Sequence, residues 1–234
     1  KLARGDVIRY RFTIVEGWSM RALRAALARD PVLDDDAASM DDAQLMTALG
    51  RAGVPAEGRF LPETYVFTRG ETSLALLDRA ADAMDAALAE AWAARREDTP
   101  LESPEQLLTL ASIIEKETGK ASERPEIAGV FVRRLRMGMR LQTDPTVIYG
   151  LGAAFDGNLR RVDLETDTPF NTYTRFGLPP HAIAMPGRAA LMAAAQPLDG
   201  ETLYFVARGD GSHQFSRTYA EHREAVRRYQ LGGR

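Results

Sequence analysis

The densest group of chemistry-bearing residues is the run Leu110-Ala-Ser-Ile-Ile-Glu-Lys-Glu-Thr118. At helical periodicity Leu107, Leu110, Ala111, Ile114 and Thr118 share an apolar face and Lys116 lies opposite, with Glu115 and Glu117 on the two flanks. Glu115 stacks over Ala111 and Leu108, and Glu117 over Ile113, Ile114 and Leu110. A carboxyl held against apolar surface titrates higher than in water and can act as a general acid near neutrality. The same placement suits two carboxylates that merely rim a core, and the wheel does not choose between the two acids. Further along, Gln142-Thr143-Asp144, Asn171-Thr172-Tyr173-Thr174 and Gly177-Leu178-Pro179-Pro180 set amides, hydroxyls and turn formers beside aromatics. Those are the groups a sugar-binding groove requires. The histidines, His181, His213 and His222, are too far apart for an H-E-x-x-H type of metal pair, and no G-x-S-x-G elbow occurs. Neither a metal nor an organic cofactor is expected.

These residues need elements to hold them. Residues 9–15 alternate Tyr10, Phe12 and Ile14 against Arg9, Arg11 and Thr13, the pattern of a half-buried strand. Ser19 caps a helix to about residue 29, residues 40–51 form a second helix, and 60–68 are extended, giving strand, helix, helix, strand. Asp34, Asp35 and Asp36 read as a solvated acidic turn, since their spacing is not that of a calcium loop. A long Ala/Leu helix over 72–96 carries Leu74, Leu77, Ala81, Met84 and Leu88 on one side. Ser103-Pro104-Glu105-Gln106 starts the helix that bears the two glutamates, with serine as cap and Gln106 completing a capping box. A further helix runs over 122–137, and Arg133, Arg134, Arg136 and Arg140 read as one wet face of it. Asp144-Pro145 opens a helical turn through Tyr149, and 150–186 is irregular. So long an irregular stretch within a domain usually carries function. Asp144 before Pro also suits a helix cap and Asn171 a turn. Residues 187–196 are helical, 203–207 a buried strand, 209–211 a hairpin turn, 213–216 the returning strand and 219–229 a closing helix.

Composition bounds the rest. The chain has 234 residues, 45% hydrophobic and 27% charged, and carries a net charge of −3. That is the balance of a globular protein and not of a nucleic-acid binder, which is strongly basic. With no cysteine, thiol catalysis, Cys-type zinc sites and iron–sulfur clusters are excluded. No 18-residue uncharged apolar run is present. The start at Lys1, immediately before a strand-like stretch, suggests a trimmed fragment of something longer.

The Leu110–Thr118 run resembles the catalytic segment of the YceG-like (MltG) endolytic murein transglycosylases. So do Gly129-Val-Phe-Val-Arg-Arg-Leu-Arg-Met-Gly-Met-Arg-Leu-Gln-Thr-Asp-Pro-Thr-Val-Ile-Tyr149, Asn171-Thr-Tyr-Thr, Gly177-Leu-Pro-Pro-His-Ala-Ile-Ala-Met-Pro-Gly187 and Leu203-Tyr-Phe-Val-Ala207. The resemblance implies an α+β fold: a small LysM-like βααβ subdomain over 1–70, then a larger, mainly helical catalytic domain over 71–234 with a short β-hairpin. It implies cleavage of the β-1,4 bond between N-acetylmuramic acid and N-acetylglucosamine in peptidoglycan glycan strands, leaving 1,6-anhydro ends. It maps the catalytic acid onto Glu115; by their chemistry Gln142, Thr143, Asp144, Asn171 and Tyr173 are expected to line the substrate groove, with Glu117 and Tyr149 as further substrate-binding candidates. One acid suffices there, because the attacking hydroxyl belongs to the substrate, whereas ordinary glycosidases need a carboxylate pair. It implies a periplasmic location at the inner membrane, a single N-terminal anchor absent from this chain, and cell-wall synthases as expected partners. A non-catalytic wall-binding module is the alternative, resting on the LysM-like first segment.

Overall fold

A computed structural model describes residues 8–232. The start of the chain, on which the expectation of a trimmed fragment rests, lies outside them. The fold is α+β. Strand β1 (Arg9–Thr13) pairs antiparallel with β2 (Thr64–Thr68), Arg9 opposite Thr68 and Thr13 opposite Thr64. Helices α1 (Met20–Leu27) and α2 (Asp42–Ala48) lie between them in sequence. Ser19 caps α1, and Asp41 with Gln44 forms a capping box on α2. The alternation read in 9–15 is real packing: Phe12 and Ile14 are buried, as are Leu23, Leu45, Met46 and Phe67 behind them.

Helix α3 (Ser73–Ala93) joins two cores. Its first half places Leu76, Leu77, Ala80 and Ala81 in the core of β1, α1, α2 and β2. Its second half, from Met84 to Ala91, enters the core of α4 (Pro104–Glu117), α5 (Arg124–Arg136) and α8 (Arg188–Ala195). The acidic turn of 34–36 is less free than expected. Asp35 and Asp36 accept from the Ser73 hydroxyl, and Asp36 also accepts the Leu74 amide, so the turn closes the start of α3.

Helix α4 is the central element, packed chiefly against α8 with α3 and α5 at its sides. The sequence suggested one apolar face, but every residue from Leu107 to Ile114 is buried. Ser103 caps it as expected, whereas Gln106 accepts from the Glu102 amide instead of completing a box on Ser103. Even the polar Ser112 is paired: its hydroxyl donates to the Thr109 carbonyl and accepts the Ile183 amide at 2.9 Å. That bond ties the 177–186 loop to the core. Ser112→Ala orphans the Ile183 amide and is expected to cost about 1–3 kcal/mol. An unchanged denaturation midpoint would show that the tether is dispensable.

The remainder builds around this centre. The interval 150–186 contains α7 (Arg161–Glu165) and is otherwise largely irregular. Helix α6 (Asp144–Leu151) precedes it, and β3 (Tyr204–Ala207), β4 (His213–Ser216) and α9 (Tyr219–Tyr229) follow. Of β3 only Val206 is buried; Tyr204 and Phe205 are half-buried, which corrects the reading of a buried strand.

The basic stretch also departs from expectation. Arg134 is 8% exposed and donates to the carbonyls of Leu203, Arg140 and Leu141. Arg133 donates to Thr202 and Leu198. Two of the four arginines therefore strap the 198–203 segment to α5 instead of facing water. Gly129 allows this close approach, because a Cβ there would lie 2.3 Å from the Leu198 oxygen. No helix among the described residues is long and apolar enough to cross a membrane.

Candidate active site

Helix α4 leaves the core at Glu117, and the two glutamates then part company. Glu117 faces a cleft of about 440 Å³ whose walls are the 141–144 turn, Tyr173, the β3–β4 hairpin and α9. The residue is half-buried, and its carboxylate accepts a hydrogen bond from the Thr143 hydroxyl. Burial pushes its pKa up to about 7; the Thr143 bond opposes this, the negative charge of Asp144 adds to it, and the positive charge of Arg134 opposes it. At neutrality the group is poised between acid and base.

Glu115 occupies a different place. One of its oxygens accepts from the Arg124 guanidinium at 3.1 Å and the other from the Gly187 amide at 2.9 Å. Its side chain is 4% exposed, and Arg124 also reaches Glu16 at 3.6 Å. Both oxygens are thus committed to joining α4, α5, the start of α8 and the segment after β1. The expectation that the groove residues gather around Glu115 is corrected: they gather around Glu117. Positions two apart on a helix point about 200° apart, so one core cannot bring both acids to one cleft.

The residues expected to line the groove also divide. Gln142, Thr143, Asp144 and Tyr173 reach the cleft. Asp144 does not cap α6; its carboxylate accepts the Tyr173 hydroxyl at 2.5 Å. Burial, followed by that bond to Asp144, raises the Tyr173 pKa, so the phenol stays protonated. Gln142 stands at φ 52°, a left-handed conformation that costs a non-glycine residue of order 1 kcal/mol. The turn is held there by backbone bonds to the facing loop. Gln142 N–H donates to the Thr172 carbonyl at 3.1 Å and Thr143 N–H to the Thr172 hydroxyl at 3.1 Å.

Asn171 and Tyr149 fall elsewhere. Asn171 is 1% exposed, and its amide donates to the carbonyls of Asp163, Leu164 and Thr166, closing the end of α7. Its oxygen accepts the Tyr173 amide at 2.8 Å. It therefore sets the position of Tyr173 without lining the cleft. Tyr149 sits farther along α6 and borders a separate cleft with Glu57 and His181.

Several cleft residues escaped the sequence reading. Arg134 lines its floor. His213 is held by Glu123, with Nδ1 at 2.8 Å from one carboxylate oxygen and the backbone amide at 3.3 Å from the other. Glu123 is kept below its usual range by its bonds to His213 and Lys120, against the opposing effect of burial. His222 stacks on Tyr204 at 5.3 Å between ring centres, with Nδ1 buried and unpaired; burial and then Arg134 lower its pKa, which leaves it neutral at pH 7. The pairing of His213 with a residue 90 positions away has no local signature, and the scarcity of histidine was the one available hint. Among the described residues no three His, Asp or Glu side chains group as metal ligands.

The arrangement offers one proton donor of near-neutral pKa, a carboxylate beside it, amide and hydroxyl partners, and aromatic faces. That set can bind a polyhydroxylated chain and protonate a leaving oxygen within it.

Comparison with known proteins gives a consistent picture. The profile of the YceG-like family matches residues 1–228. The endolytic murein transglycosylase of Bacillus subtilis is 39% identical over 175 residues, which span 75% of this chain and 48% of that protein. That of Streptococcus pneumoniae is 32% identical over 156 residues, covering 64% of this chain and 28% of that protein. The chain thus spans about half the length of the first relative, and less of the second. A crystal structure of a YceG-like protein from Listeria monocytogenes superposes with a TM-score of 0.74 at 30% identity, covering 96% of this chain and 78% of that one.

Proposed function

Because the chain belongs to the YceG-like family, we propose that it cleaves peptidoglycan glycan strands by transglycosylation. The observation that carries this reading is Glu117, half-buried at the edge of a polar, aromatic-walled cleft with its pKa raised to about 7. The resemblance pointed to Glu115, but that carboxylate already serves two fixed partners. The assignment therefore moves two residues along the same motif.

In the proposed reaction Glu117 donates its proton to the bridging glycosidic oxygen as the bond from the muramyl C1 breaks. The resulting carboxylate takes the proton of the muramyl C6 hydroxyl, whose oxygen bonds to C1. The product is a 1,6-anhydro end; no water is consumed, and Glu117 regains its proton. Asp144 raises the proton affinity of Glu117 and is itself fixed by Tyr173. His213, oriented by Glu123, and Gln142 supply polar contacts for acetamido and hydroxyl groups. The proposal includes a site of action outside the inner membrane, where the strands are, and cell-wall synthases as partners.

Asp144 favours a second reading. A carboxylate pair in one cleft is the equipment of a hydrolytic glycosidase. Digestion of purified sacculi followed by mass analysis separates the two. Anhydro-muramic ends are expected, and reducing muramic acid ends alone would favour hydrolysis.

The pH dependence follows from the same carboxyl. The acid form of Glu117 is needed, so kcat/KM on sacculi is expected to fall as pH rises through about 7. A rate constant flat to pH 9 would count against Glu117 as the donor. Stability moves in the same direction. Glu117 and Glu57 are both raised to about 7, so their proton-linked stabilisation is full below about 4.5 and is lost as pH rises toward 7.

A further inference from the structure

Helix α6 borders two clefts. Asp144, its first residue, belongs to the cleft of Glu117, while Tyr149, five residues on, belongs to a second of about 380 Å³. The second lies between the 53–57 turn beside α2 and the pair Tyr149 and His181. The reaction proposed above makes no use of it.

Its surfaces are chemically distinct. One wall is small and apolar, formed by Val54 and Pro55 with Ala43 beside them. Glu57 closes that wall, 7% exposed, with its oxygens accepting the Met20 amide at 3.0 and 3.1 Å. The Tyr149 hydroxyl and the Gly58 amide also reach this carboxylate, so a ligand N–H shares its lone pairs with them, and Asp42, paired with Arg24, adds a second carboxylate to the lining. The other wall is the ring of Tyr149, braced edge-on by Phe170 at 4.9 Å and by His181 at 5.8 Å between ring centres. His181 Nδ1 lies 2.7 Å from the Ala182 carbonyl, so it carries the proton and leaves Nε2 as an acceptor in the neutral ring.

A ligand that satisfies all of this needs a methyl-sized apolar group, an N–H donor beside it, hydroxyl donors and a flat aliphatic face. An N-acetylhexosamine has each of them. We propose that this cleft is a second glycan subsite that takes an N-acetylhexosamine residue of the strand. The acetamide N–H bonds Glu57, the methyl rests on Val54 and Pro55, and the ring lies against Tyr149. The proposal rests on the peptidoglycan reading for the source of the sugar. Asp144 and Tyr149 are offset by about 7.5 Å along the helix axis. A single strand crossing α6 can therefore engage both clefts, and a strand gripped away from the scissile bond is cut within its length.

The test uses the Glu117→Gln chain, so that nothing is turned over, titrated with a β-1,4-linked trimer of N-acetylglucosamine and followed by amide chemical shifts. Shifts are expected at Ala43 and at 53–57 as well as around Gln142 and Tyr173. Val54→Trp fills the second cleft from a half-buried position and should remove the first set alone. In the otherwise native chain, Val54→Trp should raise KM on long strands about tenfold, the size of one aromatic contact, with little change in kcat. Shifts confined to the Glu117 cleft overturn the subsite and leave the transglycosylase reading standing. Shifts in neither cleft overturn both. Equal shifts at 53–57 with a glucose trimer, which lacks acetamides, overturn the assignment of the ligand.

Discussion

Glu117→Gln is expected to lower the rate of sacculus cleavage by about 10²–10⁴-fold, the usual worth of a general acid, while Glu115→Gln leaves most of the rate in place. The two substitutions are equal in chemistry and two residues apart, so the contrast reports position alone. Glutamine at 117 keeps an acceptor for the Thr143 hydroxyl and removes a half-buried acid, so folding should survive. Glutamine at 115 keeps one acceptor for the Gly187 amide but loses the charge that faces Arg124. Its effect should therefore appear as a lower denaturation midpoint. The pH profile adds a second readout: the fall above pH 7 should persist in Glu115→Gln. Full activity in Glu117→Gln, or a folded but inactive Glu115→Gln, would return the acid to position 115.

Arg134→Met should lower stability by about 3–5 kcal/mol, which for a chain of this size is a Tm decrease of about 8–15 °C. Arg134 sits on α5, yet its guanidinium donates to carbonyls of the 140–141 turn and to Leu203, just before β3. Methionine fills most of the volume but leaves those buried acceptors without donors, each at a cost of about 1–3 kcal/mol. Two walls of the Glu117 cleft hang from this one side chain, so activity should fall along with stability. Arg136→Met is the matched control on the same stretch. Its side chain is 37% exposed and bonds Asp98 at the surface, so the midpoint should barely move. Equal, small effects from both would restore the reading of a wet basic face.

Much of the fold was legible in the sequence because its signals are local. Helix α9 spans 219–229 as expected, and Ser19 and Ser103 cap the helices they precede. Strand β1 declared itself by alternation. The α+β class and the motifs that lead to the family followed from the same residues. The local misses are small, Gln106 turning to the Glu102 amide and Asp144 not capping α6; the larger ones are long-range. Arg134 looked solvated because its neighbours in sequence are basic, and the carbonyl partners that bury it are up to 69 residues away. Asn171 was grouped with the groove because a polar side chain beside Tyr173 looks like a ligand contact; it spends its hydrogen bonds on the end of α7.

The chain by itself determined that the two acids leave the end of one helix in different directions, that the helix is capped at Ser103, and that polar and aromatic residues recur in the irregular stretch after it. Periodicity specifies the direction of each side chain relative to its own helix. It does not specify what stands opposite. Only the packing of α8 and the Arg124 side chain against one flank of α4, and of the 141–144 turn against the other, made Glu115 a joint and Glu117 a half-buried acid. The difference lies in the partners, a guanidinium and an amide bonded to Glu115 against a hydroxyl and the neighbouring charge of Asp144 at Glu117, and no residue carries that in its own letter.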